Sequence, residues 1–202
     1  MTFKKSEKEI IRTIVKYGGE VKSLAEVINK SHLFEKKGIA IIPDSNNRIF
    51  LKKAKYNEHQ QKEPLGYIAE FVSLINYLIE KRLIVIVPFN ESVSLVIGKE
   101  HSRWGKHGVI IVNDGEGYIT PESNYFNYFE NNQQAYWPCV GSEELVPLSK
   151  VLRSWFTVSQ ELKEMVKNNF KSEEQIRFEK QQFLTRVSII VAIILGLLGI
   201  VF

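Results

Sequence analysis

Val187 to Phe202 read VSIIVAIILGLLGIVF, a run with no charge and with Ser188 as its only polar side chain. As a helix these residues would extend about 24 Å at 1.5 Å per residue, slightly short of the roughly 30 Å apolar core of a bilayer. Counting back to Phe183 lengthens the run, with Arg186 as its only charge. An arginine near a helix end can lift its guanidinium to the headgroups while its stem stays in the apolar layer. The stretch therefore predicts a single membrane span marked by Phe183, Arg186, Val187 and Phe202. The alternative is a core helix, which being apolar all round must be enclosed on every side. The C-terminal position predicts a tail anchor. Arg177, Lys180 and Arg186 precede the span, so the positive-inside bias keeps the N-terminal domain in the cytoplasm. Ser188, Ala192 and Gly196 recur every fourth residue, a ridge of small side chains along which two helices can approach closely and associate.

The rest of the chain is charged and globular in character. It has 202 residues, a net charge of +4 and 44% hydrophobic residues, enough for one or two modest domains with a true core. A single cysteine, Cys139, excludes an internal disulfide framework and any cysteine-only zinc site. The charge is uneven: basic over residues 1–60, mildly acidic over 61–150, and weakly basic after that. A dedicated nucleic-acid binder would be basic more uniformly.

From the N-terminus, Ser6 with Glu9 has the capping-box pattern, and Ile10, Ile11, Ile14 and Val15 follow at helical spacing. Gly18-Gly19 ends that helix, and Ser23 with Glu26 opens a second. Apolar runs at 38–42 and 48–51 flank Pro43-Asp44-Ser45-Asn46-Asn47 and predict a hairpin. Pro64 opens a third helix, with Ile68, Phe71, Val72, Ile75, Leu78 and Ile79 on one face. Leu83–Val87 and Val93–Ile97 read as two strands of a hairpin. Three helices and a terminal hairpin over residues 1–98 resemble a winged helix-turn-helix, with an extra hairpin inserted. That resemblance implies DNA binding by the third helix. Glu63, Glu70 and Glu80 on its outer side argue against the implication, because carboxylates repel phosphates. Lys8, Arg12 and Lys16 form a basic stripe on the first helix, either a solvated face or a contact for lipid headgroups or nucleic acid.

Residues 99–156 read as a small aromatic-rich β lobe. Arg103, Trp104, Lys106 and His107 make a cationic, aromatic loop suited to an anionic ligand, and Tyr118 to Trp137 is dense in aromatic side chains that would form core or stack a planar ligand. His101 and His107 lack a third metal ligand nearby, and Asp114 and Glu116 fit a hairpin tip better than a metal site. Cys139 reads as a buried small hydrophobe. No catalytic, metal or cofactor motif emerges, so the chain is expected not to be an enzyme.

Residues 157–182 read as juxtamembrane helices, interrupted at Asn168-Asn169. Ser172 with Gln175 caps a helix that runs on into the span at 183–202, and Ile176, Phe183 and Ile190 repeat at seven, a coiled-coil hint over only two heptads. The expected class is therefore α+β: winged-helix-like helices and hairpins, an aromatic β lobe, and a long C-terminal helix ending in one transmembrane span. The outline resembles small membrane effectors of bacterial defence systems. It implies a tail-anchored protein whose cytosolic domain binds a partner or signal and forms homo-oligomers through the C-terminal helix. A membrane-bound transcription regulator is the alternative, with DNA disfavoured as a partner.

Overall fold

α1 runs from Lys5 to Tyr17 and α2 from Leu24 to Ser31 in a computed structural model. The structure describes residues 3–19, 23–43, 48–57, 60, 62–87, 95–113, 117–122, 125–139 and 151–201. The start of α1 differs slightly from the expected cap. The Lys4 backbone N–H donates to Glu7 Oε2 at 2.7 Å, while Ser6 lies inside the helix and donates to Glu70 Oε1 at 3.0 Å. Ser23 caps α2 as expected, accepting from the Glu26 N–H at 3.3 Å.

A 3₁₀ turn at Glu35–Lys37 leads into β1 (Ile39–Ile42), which pairs antiparallel with β2 (Arg48–Lys52) as expected, Ile39 opposite Leu51. Neither strand alternates apolar with polar residues, and the packing explains why. Ile39, Ile41, Ile49 and Leu51 enter a core shared with the helices, whereas Ala40, Ile42 and Phe50 enter a second core on the opposite face. A strand buried on both faces reads as a continuous apolar run.

α3 (Lys62–Glu80) buries Ile68, Phe71, Leu74, Ile75 and Leu78 in the first core. β3 (Ile84–Val87) follows, then β4 (Arg103–Trp104), β5 (Ile110–Val112), β6 (Gly117–Glu122), β7 (Tyr125–Glu130), β8 (Gln133–Gln134) and β9 (Tyr136–Cys139). β4 to β8 form a five-stranded antiparallel sheet in sequence order, and β9 joins β2. After β10 (Trp155–Val158) come α4 (Gln160–Lys167), capped by Ser159, and α5 (Glu173–Val201). Ser172 and Gln175 close a reciprocal capping box on α5, at 3.0 and 3.2 Å.

Three expectations need correction. The strand after α3 does not pair with residues 95–97, the described part of the expected second strand. β3 pairs with β10, and Ile97 bridges Ile41 instead. Phe156 of β10 is buried in the first core beside Ile84, so a distant segment supplies the apolar partner that a local hairpin would have supplied. Residues 157–158, expected to open a helix, are the end of that strand. The third correction is to the fold class itself. Among the described residues no helix is long and apolar enough to cross a membrane. Up to Ile194, the last α5 residue whose side chain is described, the helix carries Glu174, Arg177, Glu179, Lys180 and Arg186, and its longest uncharged run there is Val187 to Ile194. The transmembrane span, the tail anchor and the single-pass membrane localisation with a cytoplasmic domain fall with that finding. Phe202 and the surroundings of Gly196 lie outside the described residues.

Candidate functional site

A buried asparagine organises the site. Asn29, 5% exposed, accepts from the Gly98 N–H at 2.6 Å through Oδ1 and donates to the Val96 carbonyl at 3.4 Å. Ile97 exchanges two backbone hydrogen bonds with Ile41, at 2.8 and 2.7 Å. Residues 96–98 are thereby stitched to α2 and β1. Gly98 turns the chain with φ +94° and lies so close to β1 that a Cβ would sit 2.4 Å from the Ile39 carbonyl oxygen.

That turn delivers Lys99 into the gap between the 3₁₀ turn and the end of β7. Its side chain is only 7% exposed, and its Nζ lies 3.1 Å from Glu35 Oε1 and 3.0 Å from Glu130 Oε1. The network continues outward on both sides. His32 Nδ1 is 2.7 Å from Glu35 Oε2, and Lys52 Nζ is 3.7 Å from Glu130 Oε2. Beside it opens a cleft of about 320 Å³, lined by Glu35, Lys52, Lys99, Val112, Asn113, Gly117, Tyr128, Glu130 and Asn131.

The electrostatics favour one protonation state for each group. Burial opposes the charge on Lys99, but the oxygens of Tyr136, Glu130 and Glu35 outweigh it and hold its pKa above the ordinary lysine value. Burial also pushes Glu35 upward, yet hydrogen bonds from His32 and Lys99 and their charges leave it below its ordinary value. Burial raises the Tyr128 phenol, helped by Tyr136, Glu130 and Glu35, and lifts Tyr136 to about 12 despite the opposing pull of Lys99. Cys139, on β9, is buried and its thiol pushed up by that burial. Lysine as ammonium, tyrosine as phenol and cysteine as thiol are hydrogen-bonding forms, not nucleophiles.

The shifts set a pH window. Glu35 has its folded pKa below the unfolded value of about 4.3, so its contribution is full above that pH and is lost as pH falls through the folded value. Lys99 is raised above its unfolded value of about 10.4, so its contribution is full below that pH and is lost as pH rises past the folded value. The network should hold from about pH 5 to about pH 10. Urea unfolding between about pH 6 and pH 3 should show a smaller loss of stability for Glu35→Gln than for the native chain. Parallel curves would mean that Glu35 titrates alike in both states.

The residues singled out in the sequence go elsewhere. Arg103 and Trp104 form β4 at one edge of the five-stranded sheet, and Lys106 and His107 sit in an exposed 3₁₀ turn; none lines the cleft. The aromatic run divides between core and surface. Tyr128 and Tyr136 are buried with ring centroids 4.2 Å apart, while Tyr118 stacks on Phe129 at 5.2 Å. Lys8 and Arg12 of the basic stripe face the Phe170 ring at 5.5 and 5.3 Å, and Arg12 donates to Asn169 Oδ1 at 2.5 Å. Lys16 lies 4.9 Å from the Tyr17 ring. That stripe serves in part to dock the end of α4. Ser188 donates to the Leu184 carbonyl within α5 at 2.9 Å, and Ala192 is exposed one turn on. Among the described residues no group of three metal-capable side chains gathers around His101 or His107, and Asp114 and Glu116 lie outside them.

Sequence reasoning had Tyr128 within the aromatic run but missed Glu35, Lys99 and Glu130. They come from separate turns and strands, and no local spacing links them. Fold and site together define a mixed α/β protein with two cores, a charged cleft between elements of both, and a long projecting helix. No protein-family model, no curated protein and no solved structure matches the chain.

Proposed function

We propose that the chain is a non-enzymatic, self-associating interaction module, in which residues 3–170 recognise a signal or partner and α5 joins copies of the chain. One observation carries this reading. Every side chain of α5 from Arg177 to Ile194 is exposed, and part of its apolar surface follows a heptad seam, with Phe178 and Ile189 on the other side. Ile176, Lys180, Phe183, Val187, Ile190 and Ile194 are spaced alternately by four and three, the pattern that keeps one face of a helix against a neighbour. Phe183 is 65% and Ile190 56% exposed. Helical stability in water comes mainly from packing an apolar face, so this seam calls for a partner of the same pattern. A second copy supplies it.

The composition of the seam bears on the number of copies. Ile190 and Ile194 put isoleucine at both seam positions in the last of these heptads, which favours three or four strands over two, and apolar Leu184, Val191 and Ile193 beside the seam widen the face to be covered. Lys180 within the seam fixes the register, because a shifted alignment would bury it against isoleucine.

The DNA-binding alternative fits less well. After Lys62 at its start, the exposed strip of α3 comprises Glu63, Gly66, Ala69, Ser73, Asn76 and Glu80, two carboxylates and no cation. A helix lying against phosphates gains its affinity from cations.

Sedimentation of the full chain should give a trimer or tetramer, and Ile190→Asp should give a monomer whose body keeps its fold. Ile190→Cys should form a disulfide between copies, since equivalent seam residues meet in a parallel assembly and Cys139 is buried. A native chain that is monomeric, whether free in buffer or alone in a detergent micelle, overturns the proposal.

A further inference from the structure

We propose that the cleft beside Lys99 binds a small, acceptor-rich polar molecule carrying an oxyanion, such as a carboxylate or phosphate group, held chiefly by Tyr128 and Lys52. This inference rests on the reading of residues 3–170 as the recognising part and specifies what they recognise; it does not depend on α5. The argument is an inventory of donors and acceptors. Lys99 has three N–H groups; Glu35 and Glu130 take two of them, and the Tyr136 ring lies 5.9 Å away. The second oxygen of Glu35 holds His32, and that of Glu130 faces Lys52. The carboxylates are thus engaged by cations of the protein, and the charges of Glu35, Glu130, Lys52 and Lys99 balance.

What the cleft leaves open is of the other kind. Tyr128 is 1% exposed and lines the cleft, yet its hydroxyl makes no hydrogen bond within the described residues. That hydroxyl faces the cleft and not a protein acceptor, and this is the second observation that points to an occupant. Because burial keeps the phenol protonated, it offers a donor. Lys52 contacts Glu130 at 3.7 Å, longer than a hydrogen bond, and retains donors for a ligand. Asn113 and Asn131, both at φ 50°, add amides at the rim. The available groups are mostly donors with one cation among them, and they suit an anion whose other atoms accept hydrogen bonds. A volume of about 320 Å³ exceeds the roughly 30 Å³ share of a single water and reaches the lower end of small-molecule sites.

The test is an amide-resonance titration of the full chain with inorganic phosphate, with succinate, and with neutral glycerol as control. Phosphate or succinate should move the resonances of Asn113, Gly117 and Asn131, and glycerol should not. Tyr128→Phe should weaken binding about ten-fold, the equivalent of one hydrogen bond. The thermal midpoint of the free Tyr128→Phe protein should stay level or rise, because the lost hydroxyl has no protein partner. Lys52→Gln should remove the preference for anions. Three results would overturn the proposal: no shift with either anion, shifts that both variants leave unchanged (an adventitious ion only), or a free Tyr128→Phe protein that is clearly destabilised. The same titration on Ile190→Asp separates this inference from the assembly of α5, since failure of one leaves the other readout intact.

Discussion

Lys99→Met is expected to destabilise the protein by about 3 kcal/mol, the low end of the range for breaking a buried ion pair from one side. The ammonium itself is nearly sealed, and methionine fills much the same space without its charge. What remains is a pair of carboxylates, Glu35 and Glu130, that were held on either side of one cation. Their side chains are 33% and 24% exposed, so water in the cleft relieves part of their repulsion, which places the loss at the low end. Adding Glu35→Gln and Glu130→Gln to Lys99→Met should recover most of it, because replacing all members of a buried ionic cluster is far milder than removing one. Urea unfolding of the single and triple variants checks both statements. A Lys99→Met protein within about 0.5 kcal/mol of the native chain would reduce the network to the strength of a surface pair. Lys99→Arg would be no conservative change, since a planar fork cannot place three donors around the position of a single nitrogen.

Local signals were legible and distant ones were not. Ser23 and the Ser172–Gln175 box mark helix starts because capping is a contact over three residues. The β1–β2 hairpin was readable for the same reason: two apolar runs flank one turn. The pairing of β3 with β10 was hidden because Ile84 and Phe156 are joined only by the core they share. Glu35, Lys99 and Glu130 look like ordinary surface charges in the sequence, and only the close approach of Gly98 to β1 turns Lys99 inward. At the tail, apolar content alone suggested a span. Over the described part of α5, Arg177, Glu179, Lys180 and Arg186 interrupt it, and the seam of seven-residue period is the more specific signal.

Two glycine-to-alanine changes should act in opposite directions, and the contrast tests the anchoring of the site. Gly98 has φ +94°, and an added Cβ would meet the Ile39 carbonyl oxygen at 2.4 Å and the Phe34 Cβ at 3.2 Å. The nearest obstacle is backbone of a strand buried on both faces, which cannot swing aside as a flexible side chain would. Steric overpacking of about 1–3 kcal/mol adds to the cost of holding alanine at positive φ, roughly 1–2 kcal/mol, so Gly98→Ala should lose about 3 kcal/mol in all. For a chain of this size that is a fall of roughly 6–12 °C in thermal midpoint. Gly66, in α3, is exposed, and a methyl group added there would meet nothing within 4 Å, so alanine gains helix propensity at no steric cost. Gly66→Ala should stabilise by about 0.5–1 kcal/mol. Thermal unfolding of the two variants beside the native chain reads both signs at once. Since Gly98 aims Lys99, the Gly98→Ala protein should also lose part of the extra stability that Lys99 contributes, and adding Lys99→Met to it should cost less than Lys99→Met alone. Full additivity of the two would mean that Lys99 reaches its carboxylates by itself, whatever the backbone beneath it does.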